Sequence, residues 1–230
     1  MIKKFLNRFV IKGSKENNLP FPCFEFGKAM ELIKEWCERT STDDQLVLLD
    51  FVLKAIREDV KTDLLSTILY SERHFEKKLH YYLFPFDYVD EQGKSHNIYL
   101  EISESKTISL ADECVWVMPW DRVRLKYSIL NIFKTDFEYD ESNHKAYYYK
   151  QLDICHVTNG NHSISSGTVY RKGYIKAQVV DISKMFDHVH TDGKCWYNSH
   201  DGTKLRDVDD FRIAIMFETA KMKHRLLVGK

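Results

Sequence analysis

Apolar positions in the first third of the chain recur at spacings of three and four residues, the repeat that gathers side chains on one face of an α-helix. After the Pro20-Phe21-Pro22 break, Met30, Ile33 and Cys37 lie on one such stripe. Ser41-Thr42-Asp43-Asp44 then offers a helix start, because Ser and Asp side chains accept from the free N–H groups of a first turn. Leu46, Leu49, Leu53, Ile56 and Val60 continue the apolar stripe beyond it. A further short helix is predicted for Asp63 to Ser71, and Glu72 to Lys78 carry enough charge to lie exposed.

Near residue 80 the pattern changes. His80 to Val89 is rich in Tyr, Leu and Phe, Asp90-Glu91-Gln92-Gly93-Lys94 reads as a turn, and Asn97 to Ile102 reads as the partner strand of a β-hairpin. Cys114 to Met118 is an apolar run that enters a turn at Pro119. Asp121 could cap the next helix, which carries Val123, Tyr127, Leu130 and Phe133 on one face. An acidic loop follows from Asp136 to Glu141, and Tyr147-Tyr148-Tyr149 suits a half-buried sheet surface. From Leu152 a β-branched run stops at Asn159-Gly160, a short amphipathic segment leads to Tyr170-Arg171-Lys172-Gly173, and a second apolar run spans Tyr174 to Ile182. That stretch reads as strand, turn, helix, strand. Val208 to Lys223 reads as a last helix with Phe211, Ile215 and Phe217 among its apolar residues. The alternation predicts a mixed α/β (α+β) fold around one mixed sheet. Residues 1–79 are expected to form a helical N-terminal layer and residues 80–230 an α/β core with a C-terminal helix. No Gly/Ser-rich or Pro-rich linker separates the two, so the layer is not read as independent.

Composition narrows the function classes. With 230 residues, 43% of them hydrophobic, the chain can bury a substantial core. Its 34 Lys plus Arg and 34 Asp plus Glu cancel, so no global field draws it to nucleic acid or an anionic membrane. A DNA or protein partner would need a local patch such as Lys3, Lys4, Arg8, Lys12 and Lys15, or Lys221, Lys223, His224 and Arg225; a solvated end is the simpler reading of both. No apolar run approaches the ~18 residues of a spanning helix. Lys3, Lys4 and Arg8 interrupt the apolar stretch that a signal peptide would need. A cytoplasmic location and no membrane partner are therefore expected. Five widely spaced cysteines, with no C-x-x-C pair, are expected to be free thiols.

The chemistry concentrates at the Asn159-Gly160-Asn161-His162-Ser163 corner. Gly160 lets the backbone approach a ligand, and the free N–H groups of the following helix start would face it, which makes an anion cradle. Asn159 and Asn161 also suit turn and N-cap positions, while Ser163, Ser165 and Ser166 offer hydroxyls or close packing. An unperturbed imidazole titrates near neutral pH, so His162 could act as acid or base. There is no G-x-S-x-G elbow and no Walker-type loop, which sets aside a standard hydrolase triad and a P-loop.

From Trp116 to Ile182 the chain resembles the ParB/sulfiredoxin-like fold. The resemblance rests on the strand, on Asn159-Gly160-Asn161-His162-Ser163-Ile164, and on Gly173-Tyr174-Ile175-Lys176-Ala177-Gln178-Val179. With Trp120-Asp121-Arg122 and Asp210-Phe211-Arg212 included, the chain is also similar to a bacterial family of uncharacterised proteins with the same Asn-Gly-Asn-His core. In the ParB/sulfiredoxin-like group this corner binds nucleotide phosphates, and members include nucleotide-hydrolysing switches, small-molecule kinases, a sulfinic-acid reductase and nucleases. The resemblance implies a bacterial or phage-associated protein in which Gly160, Asn161 and His162 line a phosphate site, flanked by Asn159. Ser163 stands where the motif commonly carries Arg, so Arg122, Arg124, Lys145, Arg171 or Lys172 would have to supply the charge. If the protein is an enzyme, the implied chemistry is nucleotide hydrolysis or phosphotransfer assisted by Mg²⁺, with His162 and with Asp121 or Asp153 as carboxylate for the ion.

Two alternatives stand beside this reading. The corner could be structural in a non-catalytic module that binds protein or DNA through the basic ends. A metal-dependent nuclease could instead use Asp187, His188, His190 and Asp192 with Cys195 and His200, although their spacing matches no strong zinc pattern and zinc is not expected. The oligomeric state is left open.

Overall fold

Ser41 starts the longest element: its Oγ accepts from the Asp44 N–H at 3.2 Å. In the computed structural model, which describes residues 23–72 and 81–229, helix α1 (Phe24–Cys37) leads to α2 (Thr42–Tyr70). The two helices predicted on either side of Val60 are one helix of 29 residues. Neither Gly nor Pro interrupts residues 42–70, and the buried stripe Val60, Leu64 and Ile68 keeps the same four-residue step. The basic N-terminal residues and most of Glu72 to Lys78 lie outside the described residues.

The predicted hairpin survives only as β1 (Tyr88–Val89) paired with β2 (Ser95–His96) around a turn with Gly93 at φ 80°. Residues 97–102 are not a strand, because Asn97 Oδ1 accepts from the N–H groups of both Tyr99 and Leu100 and turns the chain. A strand not foreseen, β3 (Ser105–Ser109), pairs instead with β7 (Tyr174–Val180). The main sheet also contains β4 (Val115–Trp116), β5 (Lys145–Tyr149) and β6 (Ile154–Asn159), in the order β3-β7-β5-β6-β4. β5 runs parallel to β7 and β4 parallel to β6, while β5–β6 and β3–β7 are antiparallel, so the sheet is mixed.

Helix α3 (Arg122–Lys134) follows β4 and α4 (Asn161–Tyr170) follows β6. A short three-stranded sheet of β8 (Val189–Thr191), β9 (Cys195–Asn198) and β10 (Lys204–Asp207) precedes α5 (Phe211–Val228). α5 begins three residues later than predicted, where Asp210 accepts from the Arg212 N–H. α2 buries Leu53, Val60 and Leu64 in one cluster with Trp116 and Tyr149 of the sheet and Phe217 of α5. A second cluster joins Phe26, Met30 and Ile33 of α1 to Leu49, Ala214 and Ile215. Arg212 ties the same layers together through Asp59 and Asp63 of α2 and through Asp210. All five cysteines are free.

α3 turns its predicted apolar face outward. The face Val123, Tyr127, Leu130 and Phe133 is exposed, by 61, 66, 45 and 66%, whereas Leu125 and Ile132 are buried. Leu125, Ile129 and Ile132 form an equally valid apolar stripe, and the rotation of the helix, fixed by the loop before it, decides which stripe is covered.

Candidate functional site

β4 and β6 are parallel neighbours, so both run out at the same edge and their strand-to-helix connections lie side by side. In open α/β sheets ligands bind outside the carboxyl ends of the parallel strands, and both connections lie at that end. Here they are sewn together by the Asn-Gly-Asn-His motif. Asn161 Oδ1 accepts from the Met118 N–H at 2.8 Å, and His162 Nε2 accepts from the Asp121 N–H at 3.1 Å. Asp121 Oδ1 in turn caps α3 by accepting from Val123 and Arg124.

Gly160 is the N-cap of α4, with φ 81°. A Cβ there would lie 2.5 Å from Cδ2 of His144, so the glycine is required by this buried ring as well as by its left-handed backbone; ligand approach is not needed to explain it. Neither Asn159 nor Asn161 caps the helix: no side chain does, which leaves the first-turn N–H groups without a capping partner. Asn159 Nδ2 instead reaches Asn143 Oδ1 at 3.4 Å.

A cavity of about 550 Å³ opens over this turn, lined by Asn159 to Ser163, Asn143, Thr158 and Trp120, and by Arg124, Tyr127, Ser128 and Asn131 of α3. Arg124 is the one charged residue of the lining, its guanidinium 4.9 Å from the Trp120 ring centre. The Trp120 ring meets His162 edge-on at 5.1 Å. Arg124 with Tyr127, Ser128 and Asn131 makes a polar stripe at helical spacing, a signal readable in the sequence, although the sequence pattern alone groups Tyr127 with the apolar face of the helix.

Hydrogen-bond accounting limits what the two histidines can do. His144 Nδ1 accepts from the Asp140 N–H at 3.0 Å, so the neutral ring carries its proton on Nε2 and donates it to Ser163 Oγ at 2.9 Å. Ser163 Oγ passes its own proton to the Gly160 carbonyl at 3.0 Å. This is the reverse of a base that activates a nucleophile. By the same logic the neutral His162 ring, with Nε2 accepting, carries its proton on Nδ1. Burial pushes the pKa of both rings down, with nearby Asp140 and Asp121 respectively opposing the shift, which favours these neutral forms.

Several sequence candidates lie elsewhere. Asp153 precedes β6 while Asn159 ends it, about 20 Å away at the usual strand rise. Its left-handed backbone, φ 55°, is held by a network in which Oδ1 accepts from Tyr148 at 2.7 Å and Arg57 lies 3.4 Å away. Arg122 donates to the Ile68 and Ser71 carbonyls at the end of α2. Arg171 caps the far end of α4, and Lys172 reaches the Ile132 and Thr135 carbonyls. Lys145 faces Asn159 in the β5–β6 register with an exposed side chain outside the lining. The chain thus brings together Asn159, Gly160, Asn161, His162, Ser163 and Arg124, with Asp121 at the rim, and separates them from the rest.

The C-terminal basic group is not a free patch. Lys221 is buried and donates to the Val189 carbonyl, Lys223 pairs with Asp50 at 2.8 Å, and Arg225 pairs with Asp187 at 3.1 Å. His188 stacks near Tyr88 and His96, and His190 on Tyr197, rather than converging. Among the described residues no group of three or more His, Cys, Asp or Glu side chains is placed to hold a metal ion, and no helix is long and apolar enough to cross a membrane.

Residues 5–228 match the model of a family described as a family of unknown function (DUF6710), and the chain belongs to that family. No curated protein and no solved structure matches it.

Proposed function

We propose that this member of the DUF6710 family binds a phosphorylated ligand, a nucleotide or another phosphorylated small molecule, at the start of α4, and holds it without turning it over. One observation carries the reading: the uncapped first turn of α4 faces a cavity whose single charged lining residue is Arg124, with no carboxylate in the lining and Asp121 at its rim. Helix N–H groups and a guanidinium are complementary to phosphate. Arg124 comes from a neighbouring helix and would serve where Ser163 replaces the motif arginine. Trp120 and Tyr127 add flat aromatic surface on which a base could rest. The resemblance to the ParB/sulfiredoxin-like group supports the same class of ligand.

Binding without turnover follows from the committed lone pairs. The Nε2 of His162 accepts from Asp121, and His144 donates to Ser163, so neither ring is free at these atoms to take a proton from a nucleophile. The lining supplies no carboxylate to Mg²⁺, and Asp121 Oδ1 is occupied by two N–H groups. Mg²⁺ accompanying a nucleotide would be held by phosphate and water.

Thermal unfolding with ATP, CTP, GTP, ADP and inorganic phosphate, each with and without Mg²⁺, tests the proposal. A ligand at a hundred times its Kd stabilises by about 2.7 kcal/mol, a shift of roughly 5–10 °C for a chain of this size. Arg124→Ala should weaken the effective ligand by about tenfold or more, since a hydrogen bond to a charged group contributes about 1.5–3 kcal/mol. Absence of any shift, or an undiminished shift in Arg124→Ala, overturns the site. Nucleotide hydrolysis abolished by His162→Gln overturns the non-catalytic part.

A further inference from the structure

Beside the cavity, α3 presents a face that nothing among the described residues covers. With 3.6 residues per turn, Val123, Tyr127 and Leu130 form its crest, Arg124 lies on one flank, Lys126 on the other, and Lys134 closes the crest at its end. Val123, Tyr127 and Leu130 are 61, 66 and 45% exposed, and Trp120 at the entry to the helix is 51% exposed. The apolar surface continues across a shallow groove of about 280 Å³ to Leu69.

The charge on this helix is one-sided. α3 carries Arg122, Arg124, Lys126 and Lys134 and no Asp or Glu, in a chain whose charges otherwise balance. Arg122 is held by the end of α2 and by Glu72 at 3.4 Å. Arg124, Lys126 and Lys134 have no ion-pair partner among the described residues.

We infer that α3 docks on an anionic phospholipid surface and that the cavity beside it receives a headgroup phosphate. The headgroup part rests on the phosphate-site reading above. A convex apolar crest with cations on both flanks suits an interfacial layer, where the apolar groups enter the acyl boundary and the long cationic side chains reach back to phosphates. Trp and Tyr favour that depth. At about 20 Å, the helix is too short to span a bilayer and would lie in its plane. Two copies meeting through this face would oppose like charges. For nucleic acid, Val123 and Leu130 offer neither stacking nor hydrogen bonds. The expectation of no membrane partner came from zero net charge and the lack of a spanning segment, and neither property describes a single face.

Co-flotation of the whole chain with vesicles of equal parts phosphatidylglycerol and phosphatidylcholine, and of phosphatidylcholine alone, decides it. Three cations without an ion-pair partner among the described residues, near an anionic surface, imply binding on the order of a hundredfold tighter to the anionic vesicles, lost in high salt. Leu130→Asp and Val123→Asp, outside the cavity lining and exposed, should abolish flotation while leaving the melting temperature and any nucleotide-induced shift unchanged. Arg124→Ala should weaken both. No flotation with anionic vesicles, or flotation indifferent to both Asp variants, overturns the inference, and a surviving nucleotide shift then leaves the ligand site standing. Salt-sensitive DNA binding, or a dimer in light scattering, that is lost in Leu130→Asp without vesicle binding also overturns it.

Discussion

Replacing Gly160 by alanine tests the construction of the corner most directly. Two penalties meet there. The residue sits at φ 81°, and an L side chain in the left-handed region costs about 1 kcal/mol. The new Cβ would also lie 2.5 Å from Cδ2 of His144. That ring is 4% exposed, stacks on Phe137 at 5.0 Å, and is pinned by Asp140 and Ser163, so it has little room to yield. Overpacking of this kind costs about 1–3 kcal/mol. The sum, about 2–4 kcal/mol, should lower the melting temperature by roughly 4–16 °C for a chain of this length. A double-mutant cycle separates the parts. With His144→Ala the clash partner is gone and only the backbone penalty of about 1 kcal/mol remains, so the coupling should be about 1–3 kcal/mol by urea unfolding. Equal costs of Gly160→Ala in both backgrounds would refute the packing argument.

Three further outcomes are expected. Burial lowers the His156 pKa to about 3, so the unfolded chain, near 6.5, binds more protons between these values; this contribution is complete above pH 6.5 and is lost as pH falls toward 3. It amounts to on the order of 4–5 kcal/mol, and His156→Gln should flatten urea-derived stability across that window; an unchanged slope would discard the assignment. His162→Ala removes the acceptor for the Asp121 N–H and should destabilise by about 1–3 kcal/mol even without ligand, so a fully stable variant would show that the ring does not clamp the loop. Asp153→Gly relieves a backbone at φ 55° but breaks the Tyr148 and Arg57 contacts, and should leave every ligand-induced shift intact; a lost shift would return Asp153 to the site.

Local chemistry was legible in the sequence because it depends on neighbours in the chain. Ser41 and Asp121 as helix caps, the apolar stripes of α1 and the first part of α2, and the strand-turn-helix-strand order around Gly160 all follow from side chains acting within a few residues. Together they specify a mixed α/β chain and point to one corner. What lay beyond reach depended on contacts between distant segments. β3 is a strand because β7 lies beside it, and Asn97 to Ile102 is a turn because one Asn side chain outcompetes a two-residue ladder. α3 has two apolar stripes, and clamps from Asn161 and His162 on the preceding loop fix which one is buried. Arg122, Arg124 and Arg171 are equivalent as letters. Only packing sends Arg122 to the carbonyls of α2, Arg171 to the far end of α4, and Arg124 over Trp120 into the cavity. The sequence by itself determined that a glycine-centred turn joins strand to helix at Gly160, since backbone conformation is local; the tertiary structure decided which charge lies over that turn, since that requires a second helix to arrive at a defined rotation.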